Sequence, residues 1–273
     1  MPLRGWSAAY PETTGYLIET LLDYALLRQQ PRYAEAALGC ADWLCSIQQP
    51  AGSFAGGMSG QTTRPSVFNT AQILFGLARV VRTELPASVR YANCLSALQR
   101  GVQWLSEQLA DDGSWRAGAY VPGYIPAYYT RAVWGWLDGG ATLRQTGAWA
   151  ESEWQDLLKK ARAAIHFYAG RFLYNTGISG AGFSPKQVAF THTLAYALEG
   201  FWHCSRLLEM PELAARTLVS VEALGTVRTR AGRTAGRYTP DWSGDYTFLC
   251  PTGNAQLSVL FYEIAEKTGN EHY

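Results

Sequence analysis

Four residues in this chain are of the types needed to move a proton beside a carboxylate: Asn69, Tyr129, Arg131 and His192. Each lies where an apolar helical run begins, in Phe68-Asn69-Thr70, Tyr128-Tyr129-Thr130-Arg131 and Phe190-Thr191-His192-Thr193. A carbon acid next to a carboxylate, such as C5 of a uronic acid, is weak, so the carboxylate must be neutralised while a base waits within reach. Arginine and asparagine can hold the carboxylate and the enolate-like charge, and histidine or tyrosine can act as base and acid. Arg131 falls just inside a helix start, where the macrodipole disfavours a cation, so a purely structural role suits it poorly. Tyr10, Glu12, Gln72, Tyr128, Asn254 and Gln256 occupy comparable helix openings and are expected to bind substrate. Trp6, Trp115, Trp134, Trp136 and Trp242 offer flat faces for sugar rings, or else fill the packing between helices. Of the remaining histidines, His166 and His203 fall on helix bodies and His272 at the chain end.

A glycoside hydrolase would instead need two carboxyl groups across the scissile bond. Glu12, Asp241 and Asp245 are the candidates, the last two in Asp241-Trp242-Ser243-Gly244-Asp245 ahead of the final helix opening.

These residues depend on helices for their placement, and the helices repeat. Openings at Tyr10-Pro11-Glu12-Thr13-Thr14-Gly15, Phe68 to Gln72, Tyr128 to Arg131, Phe190 to Thr193 and Pro251 to Gln256 recur about every sixty residues. Between them run second helices with apolar residues at 3-4 spacing, as in Ala34, Ala37, Leu38, Ala41, Leu44 or Leu95, Leu98, Val102, Leu105. Glycine followed by an aromatic closes the first two units, at Gly52-Ser53-Phe54 and Gly113-Ser114-Trp115. Strand signals are scarce. The pattern predicts helical hairpins that stack because each has an apolar face it cannot bury alone. It amounts to an all-α, single domain over 1–273: an α/α toroid of helical hairpins, an incomplete ring of roughly nine helices.

Composition narrows the function classes. Lys and Arg number 23 against 22 Asp and Glu, a net +1 with only 16% charged residues, which argues against holding a nucleic acid. Aromatics reach 13%. No long apolar run or signal-type start is present, so no membrane span and a cytoplasmic location are expected. The five cysteines form no CxxC pair and read as small core residues in a reducing compartment. No metal or organic cofactor is demanded.

The segment Arg100-Gly101-Val102-Gln103-Trp104-Leu105, with Gln108 and Gly113-Ser114-Trp115, resembles the QW repeat of triterpene cyclases and protein prenyltransferase β-subunits; Asp42 to Phe54 is a fainter copy. The openings YPETTGY, YYTR, THT and TGNAQ are similar to those of bacterial α/α-toroid proteins found beside polysaccharide genes, over nearly the whole chain. The resemblance implies a toroid whose first helices line the inside and whose openings surround one mouth. It also resembles toroid polysaccharide lyases in the residue types Asn, His, Tyr and Arg on successive inner helices. That implies a uronate-containing glycan as substrate, cut or inverted by C5 proton abstraction through His192 and Tyr129, with Arg131 and Asn69 on the carboxylate. Isoprenoid chemistry is the alternative from the QW-like segment, but it has only Ala110-Asp111-Asp112-Gly113 at a turn in place of a DxDD stretch, and Asp245, Cys250 and His192 do not match the prenyltransferase zinc spacing. A non-catalytic glycan-binding or assembly toroid is the third reading. A six-hairpin ring needs twelve helices, and Tyr262 to Tyr273 echoes Tyr24 to Tyr33, so a longer parent, a homo-oligomer or a second chain completing the ring is expected.

Overall fold

The computed structural model describes residues 5, 7–61, 64–119 and 121–270; Trp6 and His272 lie outside the described residues. Nine helices occur among the described residues. They are α1 (Pro11–Arg28), α2 (Pro31–Ile47), α3 (Val67–Thr83), α4 (Val89–Gln108), α5 (Tyr129–Gln145), α6 (Glu151–Phe172), α7 (Thr191–Leu207), α8 (Pro211–Ala231) and α9 (Pro251–Thr268). Five two-residue strands lie in the later connections: β1 (Leu173–Tyr174), β2 (Gly177–Ile178), β3 (Ala189–Phe190), β4 (Arg237–Tyr238) and β5 (Gly244–Asp245).

Helix starts follow local chemistry. Proline occupies the first turn of α1, α2, α8 and α9, where its missing N–H is not needed. Ser66 and Ser88 cap α3 and α4, their hydroxyls accepting from the amides of Asn69 at 3.2 Å and Tyr91 at 3.0 Å. No helix among the described residues is long and apolar enough to cross a membrane.

The chain forms two compact units. The first is built on α1 to α4 and takes in Gly135–Leu157. Its helices differ sharply in environment: α3 buries 14 of its 17 residues, whereas α2 buries only Ala37, Ala41 and Leu44. A helix buried all round is an inner one, and a helix with one buried stripe is an outer one, as the hairpin pattern requires. Gly15 and Gly76 let α1 and α3 touch backbone to backbone; a methyl group on Gly15 would lie 2.6 Å from the Ile73 Cα. Gly135 meets Ala71 O in the same way. Gln48 ties α2 to α4 by donating to Gly52 O at 2.9 Å and Ala97 O at 2.8 Å.

The second unit contains Val121–Trp134, Ala110–Arg116 and the chain from Leu158. Here α7 is the buried helix, with 13 of its 17 residues withdrawn from solvent, and it packs on α8 and α9. Gly200 abuts the backbone of Thr130 and Arg131, and Gly253 that of Thr191 and His192. β1 pairs antiparallel with β2, and β4 lies between β3 and β5, with Phe190 opposite Arg237 and Arg237 opposite Asp245. This small sheet holds the entry to α7 where the third and fourth repeats lack the glycine-aromatic ending of the first two.

Candidate functional site

The second unit gathers several of the expected residues at the N-terminal ends of α7 and α9. His192 is the second residue of α7, and its Nδ1 lies 2.7 Å from Gln256 Oε1 on α9. A carbonyl oxygen accepts, so Nδ1–H donates and Nε2 keeps its lone pair. Burial pushes the His192 pKa down; the Gln256 bond pushes the other way, and the Arg131 charge adds to the lowering. The side chain is therefore a neutral imidazole near pH 7 with its basic nitrogen left over. The Tyr196 ring stands 4.3 Å from it. Asn254, one residue beyond the Gly253 contact, keeps a buried Oδ1 with no hydrogen-bond partner among the described residues.

Deeper along the same helices lies a charged circuit. Arg131 of α5 is ion-paired with Glu199 of α7, and its guanidinium sits 5.0 Å from the Trp134 ring centroid and 4.9 Å from that of Tyr196. Trp134 stacks on His203 at 3.7 Å, and His203 Nε2 reaches Glu263 of α9 at 3.1 Å. Burial raises the Glu199 pKa to about 7 against the lowering effect of Arg131, and Glu263 adds to the rise. The His203 hydrogen bond holds Glu263 below its ordinary value. Sequence reading missed Glu199, although a lone carboxylate in the apolar run Leu194 to Trp202 was the available signal.

The other expected residues have different settings. Tyr129 opens α5 and is fully buried; Tyr128 beside it meets it edge to face at 5.6 Å. Tyr10 is the N-cap of α1, its carbonyl accepting from the Thr13 and Thr14 hydroxyls, and Glu12 is buried in the first turn. In the first unit, Asn69 accepts from the Ser66 hydroxyl at 3.0 Å and donates to Ala55 O at 3.4 Å, while Gln72 is fully buried in α3. Trp115 and Trp136 have no exposed surface, and Trp242 donates its indole N–H to Thr176 O at 2.7 Å. These three rings fill the interior, whereas Trp134 is part-exposed.

Charge states separate the alternative chemistries. Asp241 and Asp245 are held below the usual carboxylate range, chiefly by the hydroxyls of Thr239 and Thr247, so neither is a ready proton donor. Asp112 is lowered to about 2 by Ser114, which makes the turn aspartate no acid for an isoprenoid. No group of three or more His, Cys, Asp or Glu able to hold a metal occurs among the described residues.

No protein-family profile matches the chain, and no curated protein matches it in sequence. In structure it is similar to a GH76 α-mannanase from Bacteroides thetaiotaomicron, with a TM-score of 0.63 and 11% identity over 97% of this chain and 73% of that one. Similarity at that identity speaks to fold and not to activity. With its repeated pairs of inner and outer helices, the chain has the α/α toroid fold.

Proposed function

We propose that the protein is a carbohydrate-active enzyme whose proton-transfer group is His192. The observation that carries this reading is the neutral His192 imidazole, oriented by Gln256, beside the unfilled Asn254 Oδ1 that a sugar hydroxyl would satisfy. On a uronate, His192 Nε2 takes the C5 proton and the charge passes to the carboxylate, which Arg131 faces. Glu199, with its pKa near 7, takes up a proton when that second carboxylate arrives, so Arg131 is not neutralised twice. Return of a proton to the opposite face gives epimerisation; loss of the C4 oxygen with a proton from Tyr129 gives an unsaturated product. Asn69 completes the proposed set on the carboxylate.

Glycoside hydrolysis is the second reading. It is favoured by the likeness to a GH76 α-mannanase and by Glu199 and Glu263, whose environments push their protonation in opposite directions. Proton NMR in D2O with uronate-containing glycans and with α-mannan separates the two. Deuterium at C5 or new olefinic protons supports proton abstraction; new reducing ends without either supports hydrolysis. Silence with both panels sinks the catalytic reading.

A further inference from the structure

Arg237 has no role in the chemistry above, yet its setting is unusual for an arginine. It lies on β4 directly opposite Phe190 of β3, two residues before His192 in the chain. Its guanidinium carbon stands 4.6 Å from the Phe190 ring centroid and 5.0 Å from that of Phe248, and the two rings meet edge to face at 6.0 Å. Nε is buried without a hydrogen-bond partner, and the side chain makes no hydrogen bond or ion pair among the described residues. Phe183, itself exposed, extends the aromatic surface against Phe190 at 5.9 Å.

An arginine normally fills several of its five donors, most often with a carboxylate. The nearest acid is Asp245, the cross-strand partner on β5. Its Oδ1 is taken by Thr247, which donates from its amide at 3.0 Å and its hydroxyl at 2.6 Å, and the carboxyl forms no ion pair with Arg237. Cation–π contact orients the guanidinium plane but satisfies none of its N–H groups. The residue stays part-exposed, so the unfilled donors are within reach of a ligand. Aromatic faces beside an unfilled planar donor suit a ring that carries a planar anion.

We propose that Arg237, framed by Phe190 and Phe248, is a subsite for the carboxylate of an acidic sugar, adjoining the α7 turn that carries His192. The inference rests on the carbohydrate reading and specifies it: the ligand is a glycan with a uronate, and Arg237 distinguishes it from its neutral counterpart. Arginine matches the carboxylate through two parallel bonds, so lysine is an imperfect substitute.

The test is isothermal titration of the wild-type chain with galacturonate and glucuronate oligosaccharides and with the same oligosaccharides after carboxyl reduction, each at low and high salt. The acidic forms should bind at least about tenfold more tightly, with that margin shrinking at high salt. Arg237→Met should bring the acidic forms down to the affinity of the neutral ones, with Arg237→Lys in between. Equal binding of acidic and reduced forms by the wild type overturns the subsite while leaving the carbohydrate reading standing. Binding of neither form, with α-mannan also silent, overturns the carbohydrate reading itself. The wild-type comparison decides the matter even if Arg237→Met fails to fold.

Discussion

The guanidinium of Arg131 and the carboxyl of Glu199 face each other across α5 and α7, and both are largely withdrawn from water. The partnership makes the buried carboxyl sensitive to pH. Its folded pKa of about 7 lies above its ordinary value of 4.5, chiefly because burial penalises the anion. Between those values the native state holds a proton that the unfolded chain has lost, so this group's stabilising contribution is complete below 4.5 and lost as pH rises through 7. The difference in melting temperature between Glu199→Gln and wild type should therefore climb as pH rises from 5 to 7.5. His192 has the opposite leaning, but it is common to both proteins and cancels in the difference. A difference independent of pH counts against the assignment.

Histidine NMR titration addresses the His192 and Gln256 pair. Because burial lowers the His192 pKa, its titration should centre below 6.5 in the wild type. Gln256→Glu places an anion at the hydrogen-bonded nitrogen and should raise the midpoint by about one unit or more. In the same protein the acid limb of any pH–rate profile moves upward with it. His192→Ala should remove turnover while the helical circular dichroism is unchanged. Full activity in that variant would dismiss His192 as the base.

Two glycines that close repeats are expected to be intolerant of any side chain. Gly52 has φ +98° and Gly113 φ +84°, and a methyl group would strike Arg100 O in the first case and lie 2.6 Å from Ala163 O in the second. Each Gly→Ala change should cost at least about 2 kcal/mol in urea unfolding, since strain and collision act together. Gly232→Ala is the control: φ is +67°, nothing lies within 4 Å, and the cost should be about 1 kcal/mol.

Cys45 of α2 and Cys94 of α4 stand with sulfurs 3.7 Å apart. The Cys94 bond lowers the Cys45 thiol pKa, while the Cys94 thiol is raised by the same contact and by burial. Diamide, reduced to its hydrazine as two thiols lose two protons and two electrons, should join them and staple α2 to α4. Closing the chain over 49 positions corresponds to roughly 4 kcal/mol in the chain-entropy account. A rise of several degrees in melting temperature, absent in Cys45→Ser, is the expected reading. No rise, with mass spectrometry showing the bond formed, would mean that native strain offsets the constraint.

Much of the helical frame was legible because it rests on near-neighbour chemistry. The 3-4 spacing in Leu95 to Leu105 is a buried stripe in α4, and Gly113-Ser114-Trp115 is a turn at which glycine takes a left-handed conformation. Partnerships were not legible, because they join residues far apart in the chain. His192 and Gln256 were both expected near a mouth, but their contact spans 64 positions, and Arg131 finds Glu199 across 68. Aromatic type alone did not separate Trp115, wholly interior, from Trp134, part-exposed against His203. Arg237 escaped notice because its meaning comes from a two-residue strand pairing too short to mark the sequence.

Wherever glycine brings two inner helices together, the spacing between them is set by main-chain atoms. Gly253 rests on the backbone of Thr191 and His192, and Gly200 on that of Thr130 and Arg131. Side chains on the first turns of α5, α7 and α9 are thus released from the task of separating those helices. The seam works as a fixed jig with interchangeable tools: a change at His192, Asn254 or Gln256 alters what the opening can recognise while the helices that carry them keep their register.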